Sequence, residues 1–367
     1  MFDGQLFPTM VIGSLPRPQW VIDLVNEHEQ QKIGDDQFDR AIDPAIRFAI
    51  AMQERAGIDV ITDGEWRRQT YFTGFARAVE GFADNVIKVR LLNGKKRSWP
   101  GVVSKFKYTR TIVGDEIAFV KQHTDRKVKA TLPSPYMIDR WFYDPDLSRD
   151  AYPRREDLIQ DAADILRQEL FTLRKLGVDI VQFDDAMIGR FVGTEYNADG
   201  TNPKIKLTMA DRQRELEMAT WSLNRAVEGV TDLTTALHVC RGHRDRMHVA
   251  HGGFEPIAPY LYQTNVNILA LELAADDAGT ADALKNFPTD KALGMGVIDV
   301  LSREVDAPEA LIHRVKSMLL YIDRNRLILN PDCGFAPAYD NPISLDEAYA
   351  KLKTVVIAAQ RLRHCMT

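Results

Sequence analysis

The chain has 367 residues, 45% hydrophobic and 27% charged, with 47 basic against 52 acidic side chains and a net charge of −5. That balance excludes a disordered chain, and with no block of like charge to follow a phosphate backbone it excludes a nucleic-acid partner. No stretch reaches the roughly 18 uninterrupted apolar residues of a membrane span, the first residues lack the pattern of a secretory signal, and three cysteines cannot build a disulfide framework. A cytoplasmic protein with free or metal-bound thiols is expected.

Short β-rich runs alternate with longer helical patterns, and no Pro/Gly/Ser-rich linker divides the chain, so one catalytic domain spanning 1–367 is expected. Strands are predicted near 9–13, 58–62, 127–132, 178–183, 233–240, 266–271, 292–298 and 327–330. Eight strands between helices predict an α/β fold closed as a (β/α)8 TIM barrel. Two helix-to-strand junctions are near copies, Gly57-Ile58-Asp59-Val60-Ile61 and Gly177-Val178-Asp179-Ile180-Val181, each glycine suiting the left-handed residue that ends a helix. Between them, apolar residues at Leu158, Ala162, Ile165, Leu166, Leu170, Leu173 and Leu176 mark one helical face. After the second strand the rhythm breaks: Asn93-Gly94 lies between alternating runs, with Phe106, Tyr108 and Thr111 at strand spacing, which predicts a β-hairpin insertion over about 85–113. It either covers the mouth of the barrel, builds a contact with another copy, or decorates the surface.

Catalytic groups of such a barrel gather at the carboxyl ends of the strands. Those ends carry Gly13-Ser14, Asp63-Gly64-Glu65, Pro133-Ser134-Pro135, Asp184-Asp185, His238-Val239-Cys240, Glu272, Asp299 and Asp332-Cys333. His238 and Cys240 are two apart on one strand, so both leave the same face and converge. Closure of the barrel brings Cys333 and Glu272 to the same place, and one histidine, two thiols and one carboxylate match the ligand preference of zinc. Cys365, in the terminal His364-Cys365-Met366-Thr367, is left out of the site.

These residues resemble the catalytic C-terminal barrel of the cobalamin-independent methionine synthase family and the shorter single-barrel proteins related to it. The pieces that carry the resemblance are VIGSLPRP, GIDVITDGEWRR, VDIVQFDDA, HVCRGH, LALELA and LILNPDCGF, in the family's order across nearly the whole chain. The resemblance implies zinc on His238, Cys240, Glu272 and Cys333, and an amino-acid thiol site with Ile12 and Ser14 at the carboxylate and Glu65 and Asp184 at the amino group. Zinc holding two thiolates lowers the pKa of an incoming thiol, which then attacks an electrophilic carbon. The expected reaction is methyl transfer to homocysteine or a similar amino-acid thiol, giving methionine. Partners are a small-molecule thiol and an alkyl donor, with no nucleic acid and no membrane; assembly with further copies stays open.

Structural alternatives stand beside these roles. Asp184 and Asp185 suit helix caps, Glu65 suits a pair with Arg67 or Arg68, and Ser14 suits an N-cap. A second alkyl-transfer reading resembles the epoxyalkane–coenzyme M transferases, in which a thiolate opens an epoxide: Arg17, Arg67 and Arg68 would serve its sulfonate, whereas Glu65 and Asp184 argue against it. A third is a non-catalytic zinc barrel. The family's seventh strand ends in an aspartate followed two residues later by a histidine that protonates the departing folate nitrogen; here the stretch keeps Asp299 but has Leu301 at the histidine position. Methyltetrahydrofolate is then expected to be a poor donor; the rival explanation is that His243 or another histidine of the 241–253 loop supplies the proton, although His243, His248 and His251 also read as ordinary solvated loop residues.

Overall fold

The computed structural model describes residues 2, 4–90, 94, 96–197, 201–244, 246–275, 281–336 and 342–366. Its strands are β1 (Val60–Ile61), β2 (Val79–Arg90), β3 (Lys96–Tyr108), β4 (Lys127–Pro133), β5 (Ile180–Asp184), β6 (Thr234–Val239), β7 (His243–Arg244), β8 (Met247–His248), β9 (Ile268–Leu271), β10 (Ala292–Ile298) and β11 (Leu327–Pro331). Among the described residues, seven of them join in the order β1-β4-β5-β6-β9-β10-β11, every pair parallel. The sheet curls until the segment before β1 touches both of its edges: Thr9 bridges Leu329 of β11, and Met10 bridges Val60 of β1. The result is an α/β fold of the TIM-like kind.

Segment 9–13 makes only those two bridges rather than a full strand, and β1 is shorter than the run 58–62 that predicted it. Side chains end both ladders. Asp59 takes the Thr9 N–H at 2.8 Å, and the buried Gln53 amide occupies both the N–H and the C=O of Thr62, at 3.0 and 2.8 Å. A backbone group satisfied by a side chain is lost to the ladder.

The helix predicted after residue 156 runs Arg155–Lys175 and buries Leu158, Ala162, Ile165, Leu166, Leu170 and Leu173. Each buried leucine contributes roughly 1.5–3 kcal/mol. Leu176, counted with that face in the sequence, instead caps the helix and is 38% exposed, because the left-handed Gly177 turns the chain there.

Alternation along the parallel strands sends every second residue inward. Met10, Ile12, Val60, Ile180, Ala236, Ile268, Ala270 and Ile328 form one buried apolar cluster drawn from strands all around the sheet. It plugs the interior below the strand ends, so chemistry has room only above it. Strands β2 and β3 pair antiparallel, Val79 opposite Tyr108 and Arg90 opposite Lys96. This pair starts earlier than residue 85 and stops at Tyr108, because the Thr111 hydroxyl accepts the Gly114 N–H at 2.9 Å and starts a helix at Gly114. Asn93 of the expected turn lies outside the described residues.

Candidate metal centre and substrate cavity

Strand register brings the chemistry together. Asp184 pairs with His238 across β5 and β6, and Val239 pairs with Leu271 across β6 and β9, so Cys240 and Glu272 leave neighbouring strand ends at the same level. The His238 ring faces the backbone carbonyl of Ala270 through Nδ1 at 3.1 Å. An Nδ1–H donated there leaves Nε2 with a free lone pair, buried, with no oxygen or nitrogen partner among the described residues and the Cys240 sulfur beside it. The ligand atoms of His238, Cys240 and Cys333 all lie within 4.8 Å of one another, and those of His243, Glu272 and Cys333 do the same. Cys333 belongs to both groups. The hydrogen bond from Cys333 holds Cys240 well below the usual thiol range, while the same bond, with burial, pushes Cys333 up. An orphaned imidazole nitrogen facing two thiols, one poised as thiolate, fits a borderline-soft metal ion.

Glu272, fully buried, sits within reach of Cys333 but is engaged elsewhere: one oxygen accepts from the Arg241 backbone N–H at 3.0 Å and from its Nε at 3.2 Å, and the other contacts His243 Nε2. Burial alone would raise its pKa, yet the cations of His243, Arg241 and His248 hold it at about 2. The same contacts overturn the solvated-loop alternative for two histidines. Residues His243 and His248 pair across β7 and β8, with side chains 2% and 10% exposed, because Glu272 draws both rings inward. Only His251 of the three is exposed.

A cavity of about 160 Å³ opens beside the sulfurs. Ile12, Ser14, Glu65, Asp184 and His243 line it together with His238, Cys240 and Cys333. Glu65 and the preceding Gly64 both have left-handed φ, +59° and +73°. A non-glycine residue there costs roughly 1–2 kcal/mol, offset by the Asp63 carboxylate accepting the Glu65 N–H at 3.0 Å and by Thr131 donating to Glu65 Oε1 at 2.8 Å. Gly13 leaves space for that carboxylate, since a Cβ there would lie 2.4 Å from Glu65 Oε1. Burial, helped by the neighbouring Glu65, pushes Asp184 up to about 7.

The competing roles separate by geometry. Asp185, not Asp184, is the cap: it accepts the Met187 and Ile188 N–H groups at 2.9 and 3.0 Å. Arg67 pairs with Asp39 and Asp43, and Arg68 binds Glu116 and Thr131, so neither lines the cavity. Arg17 does line it, donating to the carbonyls of Arg68 and Gln69. Asp299 lies outside the lining; its Oδ1 accepts the Leu301 N–H at 2.7 Å, and Leu301 is buried in the apolar core. Cys365 is exposed and remote from both ligand groups.

Sequence reasoning missed an aromatic wall. Phe72 stacks on Trp141 at 4.4 Å and meets Trp99 edge-on at 5.2 Å; all three line the cavity, and both indole N–H groups are buried without a partner among the described residues. Trp99 comes from β3, so the antiparallel pair contributes to the cavity wall. The polar Lys129, Thr131 and Gln182 inside strands β4 and β5 were missed too, although alternation places them inward with Asp184.

The Cys240 carbonyl has no slack. A Cβ on Gly189 would lie 1.9 Å from that oxygen, backbone against backbone. Gly189→Ala is expected to cost roughly 1–3 kcal/mol and to lower metal affinity by displacing Cys240; a urea melt and a competitive metal titration measure the two effects.

Curled parallel strands whose ends converge on a His/Cys/Cys group and a carboxylate-lined cavity define an α/β enzyme with a candidate metal centre. The chain belongs to the cobalamin-independent synthase family, whose catalytic domain matches residues 7–361, and it is a methyltransferase. It is 30% identical to the methionine synthase of Pyrococcus furiosus over 359 residues, covering 98% of this chain and 93% of that protein. It is 28% identical to the methionine synthase of Saccharolobus solfataricus, covering 98% and 95%. Its fold is similar to the B12-independent methionine synthase from Shewanella sp. W3-18-1, solved in complex with selenomethionine, at a TM-score of 0.77, 24% identity and coverage of 98% and 99%. Among the described residues, no helix is long and apolar enough to cross a membrane.

Proposed function

We propose that the chain is one catalytic domain, a closed (β/α)8 barrel with segment 9–13 as the remaining strand and the β2–β3 pair as an insertion, and that it transfers a methyl group to homocysteine at a zinc ion. The observation that carries this reading is the unpartnered His238 Nε2 facing the Cys240 and Cys333 thiols at one side of a cavity that Glu65 and Asp184 also line. His238, Cys240 and Cys333 would hold the ion, with Glu272 as the fourth ligand once released from His243. Zinc, when bound, lowers the pKa of an incoming thiol so that its sulfur is nucleophilic near neutral pH.

The chain's own residues do the rest. Glu65 and Asp184 bind the substrate ammonium, which stabilises the Asp184 carboxylate against its burial. Ile12 and Ser14 face the substrate carboxylate. Cys240 is buried and Cys333 half-buried beside the cavity, and His243 is the group in the cavity placed to deliver a proton to a leaving group. Arg67 and Arg68 are held away from the cavity; Arg17 lines it with its guanidinium turned to the Arg68 and Gln69 carbonyls, and the Glu65 and Asp184 carboxylates in the same lining disfavour the sulfonate thiol of the epoxide-opening alternative.

Protein loaded with zinc and supplied with homocysteine and a labelled methyl donor is expected to form methionine; no transfer from any donor class would end the reading. Glu65→Gln and Asp184→Asn are expected to weaken homocysteine binding about ten- to hundredfold, the worth of a charge-assisted bond of roughly 1.5–3 kcal/mol. Zinc should stay in place in both, as measured by calorimetry and metal analysis.

A further inference from the structure

A buried polar chain runs beneath the cavity. Lys129, on β4, is 1% exposed, and its ammonium donates to the Val11 carbonyl and to Gln182 Oε1, both at 2.5 Å. Gln182, on β5, is fully buried, and its Nε2 donates to Asp184 Oδ1 at 2.6 Å and to the Ile12 carbonyl at 2.9 Å. An amide can sit either way round, with its oxygen or its NH₂ toward a given neighbour. Burial pushes the Lys129 amine down to about 7, with Asp184 and Glu65 favouring its charged form; an ammonium has only protons to offer, so protonated Lys129 accepts only the orientation with Oε1 toward itself. Both amide protons are then aimed at Ile12 and Asp184. A lysine buried this deeply is costly unless its protons are bonded, and an apolar residue would pack against the Ile180 and Ala236 layer without that cost. Closing the barrel therefore does not require the lysine.

We propose that Lys129 is a positioning residue for substrate selection: through Gln182 it sets the distance between the segment at Ile12 and the carboxylate of Asp184, and so makes the cavity select a thiol bearing an α-amino group. The inference rests on the amino-acid pocket proposed above. Asp184 is presented with its Oδ1 already bonded, leaving its other oxygen for an ammonium, while the turn at Gly13 and Ser14 is held independently, by the Thr62 hydroxyl on the Gly13 carbonyl at 2.7 Å and the Phe335 N–H on the Ser14 carbonyl at 2.8 Å. Without Lys129 the Gln182 oxygen is left buried without its donor, so the side chain is free to shift, and the Asp184 carboxylate that its Nε2 holds moves off the ammonium.

The test is calorimetric binding of homocysteine and of 4-mercaptobutanoate, the same thiol without the amino group, to zinc-loaded protein. Wild type is expected to prefer homocysteine by about tenfold or more, and Lys129→Met to bring that preference below about threefold, with zinc content and affinity for 4-mercaptobutanoate unchanged. Gln182→Met cuts the same chain one link later and should give the same collapse, with the double variant no worse than either single one. If Lys129→Met does not fold, Gln182→Met decides alone. A general loosening of the barrel would weaken both thiols by equal factors, and that result overturns the proposal, as does an undiminished preference. Wild type that binds the two thiols equally removes the amino-acid pocket and the proposal with it, whereas a selective wild type with an equally selective variant overturns the positioning role alone.

Discussion

Cys240→Ser and Cys333→Ser proteins are expected to purify with little or no zinc and without methyl-transfer activity, whereas Cys365→Ser should retain both. Replacing groups that merely orient metal ligands costs about 10–100-fold in metal affinity, so removing a ligand itself should exceed about 100-fold. Serine is nearly isosteric with cysteine, and both positions lie in well-packed strand ends, so folding should survive. The two thiols are also not equivalent: without the ion, the hydrogen bond from Cys333 holds Cys240 well below the usual thiol range. Losing Cys333 thus removes a ligand and also the hydrogen bond that favours ionised Cys240 before the ion enters. Metal analysis by mass spectrometry and a competitive chelator titration measure the effect. Full zinc occupancy in both variants would sink the ligand assignment.

Methyltetrahydrofolate is expected to be a poor donor. Methyl on a tertiary amine is a weak electrophile until the nitrogen is protonated, and a positioned acid contributes about 10²–10⁴ in rate. The position at which the family resemblance implies that acid is Leu301, which is 7% exposed and packed in the apolar core. Asp299 nearby has one carboxylate oxygen committed to the Leu301 N–H. His243 is the alternative acid: it lines the cavity, and its contact with Glu272 raises its pKa to about 9 against its burial, a rise that lasts only while Glu272 stays on His243. A methylated corrinoid or a methylsulfonium has a better leaving group and needs no such acid. Methyltetrahydrofolate, its polyglutamate, methylcobalamin and a methylsulfonium, supplied in parallel with homocysteine, separate these cases. Efficient turnover with folate that survives His243→Ala would end the expectation; a gain of folate activity in Leu301→His would support it.

Most of the scaffold is legible in the sequence, because strand ends and helix caps are written locally. The junction glycines Gly57 and Gly177 both take the left-handed conformation, φ +94° and +72°, that their sequence context implied. Spacing alone put His238 and Cys240 on one face of one strand, and β6 bears that out up to Val239, with Cys240 just beyond. The runs 9–13 and 58–62 form shorter ladders than their patterns imply, because the Asp59 carboxylate takes the Thr9 N–H and the Gln53 amide takes both backbone groups of Thr62.

What the sequence by itself determined was which residue stands at each strand end and which face it takes, since a period of two is a property of one strand. Only the tertiary structure decided what each of those groups touches. Lys129 reaches Val11 across 118 residues, Gln182 reaches Ile12 across 170, and Glu272 is claimed by Arg241 and His243 rather than left beside the thiols. The arginines of the turn after β1 face away from the cavity, and Trp99 enters it from a strand pair whose purpose its own pattern left open. Such contacts arise when the curling sheet brings remote strands level, and the register that does so depends on every strand between them at once.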